Sequence, residues 1–320
     1  MTVIHVQAPG LLTTVQDLGR EGFGSMGVSA SGAADAISLR IGNRLVGNAE
    51  SAAGLEMTLL GGSFLFPEGA VVALTGSDFG ASLDGAPVEQ WTSVNVRAGQ
   101  ALSLGPTRSG ARCYLCVRGG ISVKPFLGSA STHLLSGLGG FDGRALRKGD
   151  LLDVGVTNAE SDTASFRKVA LTAEALERLS PRKILRVTPG PQSDWFPESS
   201  QRVFYTSAYR VTEESNRMGL RLEGERIPAR SGGEMLTEGV SLGAIQVPNG
   251  GEPIVLFVEQ QTTGGYPKIA NVISADLSNV GQLRPRDEIR FEKVGWEVAR
   301  SLLKEMEDLL TSENLIHEMH

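Results

Sequence analysis

Pro253-Ile254-Val255-Leu256-Phe257-Val258, leading through Glu259-Gln260 into Gln261-Thr262-Thr263-Gly264-Gly265-Tyr266-Pro267-Lys268-Ile269, is the stretch from which the fold is read. Six apolar residues closed by a glycine-bearing turn have the length of a buried strand and are too few for an ordinary helix. The same arrangement recurs at 71–74, 93–96, 101–104, 112–117, 184–187, 203–205, 220–222, 244–247 and 288–291. Forty glycines, many at the ends of these runs, supply tight turns between them. Short strands at this spacing fit barrels or sandwiches rather than alternating strand–helix units, so the expected fold is mainly β with a few helices.

Three helices interrupt the strands. Ile37, Ile41 and Leu45 fall at i, i+4 and i+8, with Ser31 as the expected N-cap and Gly47 as terminator. A shorter helix is expected at 173–179. Near the end, Trp296, Ala299, Leu303, Met306 and Leu310 step by three and four, the pattern of an amphipathic helix. The opening residues, Met1-Thr2-Val3-Ile4-His5-Val6, alternate like an edge strand. Residues 157–181 are polar, then helical, then stopped by Ser180-Pro181, and are read as the junction of two β-rich halves, 1–180 and 181–320.

A chain of 320 residues with 41% hydrophobic and 21% charged content has ordinary soluble-globular composition. Its net charge of −6 argues against a general nucleic-acid role. No apolar run approaches the ~18–20 residues that span a bilayer, and the first residues lack the basic start and apolar core of a signal peptide. A cytoplasmic location without a membrane partner is expected. The two cysteines, Cys113 and Cys116, have redox-motif spacing, but their flanks are β-type, and an odd offset in a strand sends them to opposite faces. They read as buried and apolar. The histidines, His5, His133, His317 and His320, are scattered, and no zinc site is expected.

The loops carry the chemistry. Gly22-Phe23-Gly24-Ser25-Met26-Gly27 matches a dinucleotide fingerprint formally but lacks the buried strand that must precede it. Ser29-Ala30-Ser31-Gly32-Ala33-Ala34-Asp35 opens a helix, where it either receives an anion or caps the helix itself. Thr75-Gly76-Ser77-Asp78-Phe79-Gly80 reads as a turn or a ligand loop, and Arg118 either clamps an anion or pairs with an acid. If the loops bearing Arg217, Glu238, Gln246 and the run Gln261–Lys268 converge, one pocket holds an Arg, a Glu, two Gln, a Tyr and a Lys. That inventory suits a small amide, urea or carboxylate.

Several of these segments occur together and in order: Gly10-Leu11-Leu12-Thr13-Thr14-Val15-Gln16-Asp17-Leu18-Gly19-Arg20, Ser31-Gly32-Ala33, Asn43-Arg44-Leu45-Val46-Gly47-Asn48, Leu74-Thr75-Gly76, Val117-Arg118-Gly119-Gly120-Ile121, Ser215-Asn216-Arg217-Met218-Gly219 and the run from Gln261 to Ile269. In these the chain resembles, nearly end to end, the allophanate hydrolase subunit 2 family, also called KipA or the C-type subunits of 5-oxoprolinase. The resemblance implies a cyclophilin-like β-barrel architecture and, as partner, a KipI-like protein of the B type. It also implies a LamB/YcsF-type protein of the A type, and ATP as the co-substrate that drives opening of 5-oxoproline to glutamate. On that reading Lys268, Arg217 and Arg118 stabilise anions, Gln246, Gln261, Thr262, Thr263 and Tyr266 orient the substrate, and Glu238 or Asp78 moves a proton. Two other family roles remain open: a biotin-dependent carboxyltransferase component of the urea carboxylase kind, and a KipA-like regulator that counteracts a KipI-like kinase inhibitor. One departure stands out. Many members carry Arg where this chain has Gln260, and Met is common where it has Ala34.

Overall fold

The computed structural model describes residues 2–156, 167–230 and 235–319; the first part of the expected junction, 157–166, lies outside them, as does His320. Two compact units are present: Met1–Arg20 with Ser31–Ser180 and Leu309–His320, and Glu21–Ala30 with Pro181–Asp308.

The first unit holds β1 (Val3–Ala8), β2 (Leu12–Gln16), α1 (Ala36–Leu45), β3 (Gly54–Thr58), β4 (Ser63–Phe66), β5 (Ala70–Gly76), β6 (Ser82–Leu83), β7 (Ala86–Pro87), β8 (Ser93–Val96), β9 (Gln100–Ser103), β10 (Arg112–Val117) and β11 (Leu151–Asp153), followed by β12 (Val169–Leu171) and α2 (Ala173–Arg178). One sheet runs β11-β1-β4-β9-β6-β7 and the other β2-β3-β10-β5-β8. Alternate residues of both, among them Ile4, Val6, Phe64, Phe66, Leu55, Met57 and Leu115, meet in one buried core. The opening strand is not an edge. β1 pairs with β11 on one side and β4 on the other, because alternation reports a one-sided face and says nothing about neighbours.

Central strand β10 is buried along its whole length. Cys113 enters the inter-sheet core, whereas Cys116 faces α1, where a Cβ on Gly42 would lie 2.6 Å from its Sγ. Both thiols are free and buried, and burial pushes both well above the ordinary cysteine range. The N-cap of α1 is Asp35 rather than the expected Ser31: Asp35 accepts from Ser38 N–H at 3.0 Å and from Ser38 Oγ at 2.6 Å. Ser31, at φ 56°, instead donates to the Thr132 carbonyl at 2.8 Å. The donors before the helix are met internally as well. Ala34 N–H reaches Glu56 Oε2 at 2.8 Å, and Asp35 N–H reaches the Tyr114 hydroxyl at 2.7 Å. Tyr114 in turn donates to Glu56 Oε2 at 2.7 Å. The donors at this helix start are thus met by the Asp35 cap and by Glu56 and Tyr114 of the neighbouring strands, the capping alternative of the two left open by the sequence.

In the second unit lie β13 (Ile184–Pro189), α3 (Glu198–Thr206), β14 (Tyr209–Val211), β15 (Gly219–Gly224), β16 (Glu238–Gly239), β17 (Ala244–Gln246), β18 (Ile254–Leu256), β19 (Thr263–Gly264), β20 (Lys268–Val272), α4 (Leu277–Gly281), β21 (Glu288–Lys293) and most of α5 (Trp296–Thr311). Seven strands close a barrel in the order β13-β20-β17-β18-β15-β14-β21. The last join, β21 to β13, is parallel; the others are antiparallel. Leu185, Val187, Leu220, Ile245, Val255, Ile269 and Ile289 are fully or nearly fully buried on these strands. The mainly-β, barrel-bearing fold expected from the sequence is the one adopted.

The strand expected at 203–205 is helical. Pro197 and Glu198 start α3, and its buried residues Ser200 and Phe204 stand one helical turn apart. Phe204 then stacks on Phe291 of β21 at 4.5 Å between ring centroids. Tertiary packing overrides the β-type composition of Val203-Phe204-Tyr205. In α5 only part of the apolar stripe is covered: Ala299 and Leu310 are buried, whereas Trp296 is 73% exposed. The chain ends in β22 (Ile316–Glu318), paired with β12.

Candidate functional site

Three barrel strands bring polar side chains to one rim. Gln246 is the last residue of β17 and pairs across the ladder with Lys268, the first residue of β20. Directly opposed residues send their side chains to the same face, with Cβ atoms roughly 5 Å apart. Antiparallel to β20, β13 ends at the same rim, and Gln192 lies just beyond it. The Gln192 amide oxygen accepts from Lys268 N–H at 3.2 Å, and its Nε2 donates to Glu238 Oε1 at 2.9 Å. Glu238 stands on the two-strand ribbon β16–β19, opposite Gly264. Its Oε1 is 2.5 Å from Lys268 Nζ. Gln261 Nε2 donates to Gln246 Oε1 at 3.2 Å.

Burial gives this group its character. The Lys268 side chain is 4% exposed and Gln246 is 1% exposed, yet neither Lys268 Nζ nor Gln246 Nε2 has an aligned hydrogen bond. Lys268 Nζ is met by one acceptor oxygen, Glu238 Oε1, whereas Gln246 Nε2 lacks one among the described residues. A buried donor without an acceptor costs about 1–3 kcal/mol, so an acceptor oxygen at Gln246 Nε2, next to the singly partnered Lys268 ammonium, would be favourable. Glu238 is 43% exposed. The Lys268 ammonium, and after it the Gln192 amide, hold its carboxyl below the usual glutamate range against a smaller opposing effect of desolvation. Gly264 lies against Gln246, and a Cβ there would sit 2.4 Å from Nε2.

The other residues singled out in the sequence have contacts of their own. Arg217 precedes β15, whose first residue pairs with Leu256, the far end of β18 from the residue opposite Gln246. It therefore occupies the opposite rim, buried, with its Nε donating to Glu259 Oε1 at 2.5 Å. Gln260 donates to the Val240 carbonyl at 3.2 Å and leaves its own Oε1 unpaired. Thr262 and Thr263 tie the ribbon by backbone bonds to Val240 and Gly239, and Tyr266 is 41% exposed. Asp78 and Arg118 belong to the first unit. There Asp78 Oδ1 closes its own turn by accepting from Gly80 N–H at 2.6 Å, and Arg118 Nε donates to the Val46 carbonyl at the end of α1 at 3.1 Å. In Gly22-Phe23-Gly24-Ser25-Met26-Gly27 a Cβ on any of the three glycines would meet nothing within 4 Å, and the preceding strand β2 has already ended at Gln16. Sequence reasoning passed over Gln192. A single glutamine after Gly190-Pro191 carries no pattern, although Gly190 is required there, since a Cβ would fall 2.3 Å from the Lys268 carbonyl. Among the described residues no group of three or more His, Cys, Asp or Glu side chains could hold a metal ion. No described helix is long and apolar enough to cross a membrane.

Comparison with known proteins adds the lineage. The chain is 40% identical over 297 residues to the C subunit of 5-oxoprolinase from Escherichia coli (strain K12), covering 93% of each. It is 38% identical over 325 residues to urea amidolyase of Saccharomyces cerevisiae (strain ATCC 204508 / S288c), covering 96% of this chain but 17% of that protein. The crystal structure of the Kluyveromyces lactis urea carboxylase matches with a TM-score of 0.90 at 34% identity, over 99% of this chain and 30% of the other. The family described as carboxyltransferase domain, subdomain A and B, matches residues 26–293. By sequence over most of its length and by fold over nearly all of it, this chain belongs to that carboxyltransferase domain family.

Proposed function

We propose that this chain is the C-type subunit of a heteromeric, ATP-dependent 5-oxoprolinase, and that the Lys268–Gln246 rim receives the carboxylate-bearing lactam. Similarity to the Escherichia coli C subunit of 5-oxoprolinase across 93% of both chains supports the assignment. The carrying observation at the site is the buried Lys268 ammonium, held by a single carboxylate oxygen, beside the unpartnered Gln246 amide donor. 5-Oxoproline offers an amide carbonyl and a carboxylate, both acceptors. Preorganised donors in a buried setting can hold the carboxylate or the oxygen that gains charge when the lactam is attacked. Glu238, ionised and anchored by Gln192, is the group at the rim suited to accept a proton from an attacking water. Gln261 fixes the orientation of the Gln246 amide. The ATP-dependent activation is a property of the complex assembled in the cytoplasm with two partners, a KipI-like protein of the B type and a LamB/YcsF-type protein of the A type.

The test is ADP release by the co-purified complex, with and without 5-oxoproline, alongside glutamate formation. Substrate-dependent release that falls at least about a hundredfold in Lys268→Ala supports the reading; a loss of no more than about threefold removes Lys268 from the chemistry. A second reading, a carboxyltransferase component acting with a biotin carrier, is favoured by the fold match to urea carboxylase. It requires biotin and bicarbonate for turnover, which the same assay distinguishes.

A further inference from the structure

Two ion pairs of the barrel unit differ in kind. Arg217 and Glu259 are both nearly inaccessible, at 6% and 3%, and share an aligned hydrogen bond, as a permanent pair should. Lys268 is equally buried, but its partner Glu238 is 43% exposed and stands on a strand of two residues. The contact involves one oxygen, Oε1, which Glu238 also shares with Gln192. Beside it Gln246 Nε2 has no acceptor at all. An ammonium offers three N–H donors and a primary amide two. A carboxylate with one oxygen on each nitrogen satisfies both, whereas Glu238 serves only the first.

We propose that Glu238 is a built-in stand-in for a ligand carboxylate: it holds the Lys268 subsite until a small carboxylate ligand takes its place, one oxygen on Lys268 Nζ and the other on Gln246 Nε2. The inference rests on the reading of this rim as the ligand site and specifies what it recognises. Gly264 leaves the space against the amide uncrowded, since a Cβ there would sit 2.4 Å from Nε2. Gln192 gives the displaced Glu238 a neutral partner to stay with. Selection for an anion follows, because only a ligand that neutralises Lys268 compensates for the departure of Glu238. A neutral lactam cannot compete for the ammonium on these terms.

Binding to the full-length chain in complex with its partners tests this, by calorimetry with three probes. These are 5-oxoproline, 2-pyrrolidinone (the same ring without the carboxylate) and N-carbamoylglycine, a carboxylate that is not a lactam. Removing an internal competitor raises apparent affinity by the inverse of the free fraction. Glu238→Gln is therefore expected to tighten both carboxylates about five- to tenfold and to leave 2-pyrrolidinone unchanged, while Lys268→Met abolishes carboxylate binding. Unchanged or weaker binding of both carboxylates in Glu238→Gln overturns the proposal. Tightening of N-carbamoylglycine with no binding of 5-oxoproline keeps the stand-in and instead defeats the lactam assignment. Should Glu238→Gln not fold, Glu238→Asp draws the carboxylate back by one methylene. It is expected to tighten carboxylate binding by a smaller factor, and no tightening there also overturns the proposal.

Discussion

Gly264→Ala adds a single methyl group at the rim, and its effect can be worked from the geometry. The new Cβ would stand 2.4 Å from Gln246 Nε2, well inside any real carbon–nitrogen contact, so one group must move by about an ångström. The backbone is not what resists, because Gly264 is not among the glycines with positive φ. The yielding part is the far end of the Gln246 side chain, which already lacks a partner for Nε2 and is held only at Oε1 by Gln261. Because only the far end of one side chain must turn, the stability cost is about 1 kcal/mol, the low end for a small-to-large change. Turning the amide away removes one of the two donors from its place beside Lys268, and a displacement of that size at a reacting centre lowers activity about a hundredfold. The expected signature is thus a split: a urea unfolding midpoint close to wild type, with substrate-dependent ADP release of the complex down by about two orders of magnitude. Gly239→Ala on the partner strand is the control, since a Cβ there meets nothing within 4 Å. Activity of Gly264→Ala within about twofold of wild type, or a large stability loss accompanying the activity loss, would refute the claim that the Gln246 amide is poised for a ligand.

Three further outcomes are expected. Tyr114→Phe strands the Asp35 N–H and takes a hydrogen bond from Glu56, which should destabilise the first unit by about 2–4 kcal/mol in urea titration. Burial, and then the Glu56 charge, raise the Tyr114 hydroxyl well above its ordinary value. The unfolded chain therefore ionises first, so this stabilisation is complete below about pH 10 and is lost as the pH climbs beyond it, a loss that Tyr114→Phe should lack. Cys113 and Cys116, buried with thiols held protonated, should resist a disulfide reagent at pH 8 and both react in denaturant. Glu259→Gln leaves Arg217 charged in a buried place and is expected to cost about 3–5 kcal/mol, lowering the melting temperature without a specific loss of ligand affinity.

Strand positions were legible where the sequence signal and the packing agree. The runs at 112–117, 253–258 and 288–291 each fall on an observed strand, Arg112–Val117, Ile254–Leu256 and Glu288–Lys293. Misreadings arose where local composition answers a different question from the one asked. Val203-Phe204-Tyr205 has strand composition but sits within a helix started by Pro197, where one aromatic per turn is enough. Ser31 is a good cap by type, yet the chain places Asp35 at the helix start. At the rim, Glu238, Gln246, Gln261 and Lys268 could be picked out because each flanks a readable strand, and the ladder pairs those strands. Arg217, Asp78 and Arg118 flank strands equally well but lie at another rim or in the other unit. Which end of a strand shares a rim with which other end depends on topology, and spacing along the chain does not encode it.

The parallel join between β13 and β21 has a consequence for how the barrel is made. Residues 184–187 must find residues 290–293, nearly the full length of the unit away, so closure is the contact with the largest loop entropy to overcome. Until β21 arrives, β13 and β14 each present an unpaired edge, the kind of edge that recruits other strands. Lys268 and Gln246 can pair before that moment, but the rim around them cannot be rigid. Growth of the chain from the ribosome should therefore yield a late, concerted ripening of the site, and truncation anywhere before Glu288 should yield an aggregation-prone fragment rather than a smaller working barrel.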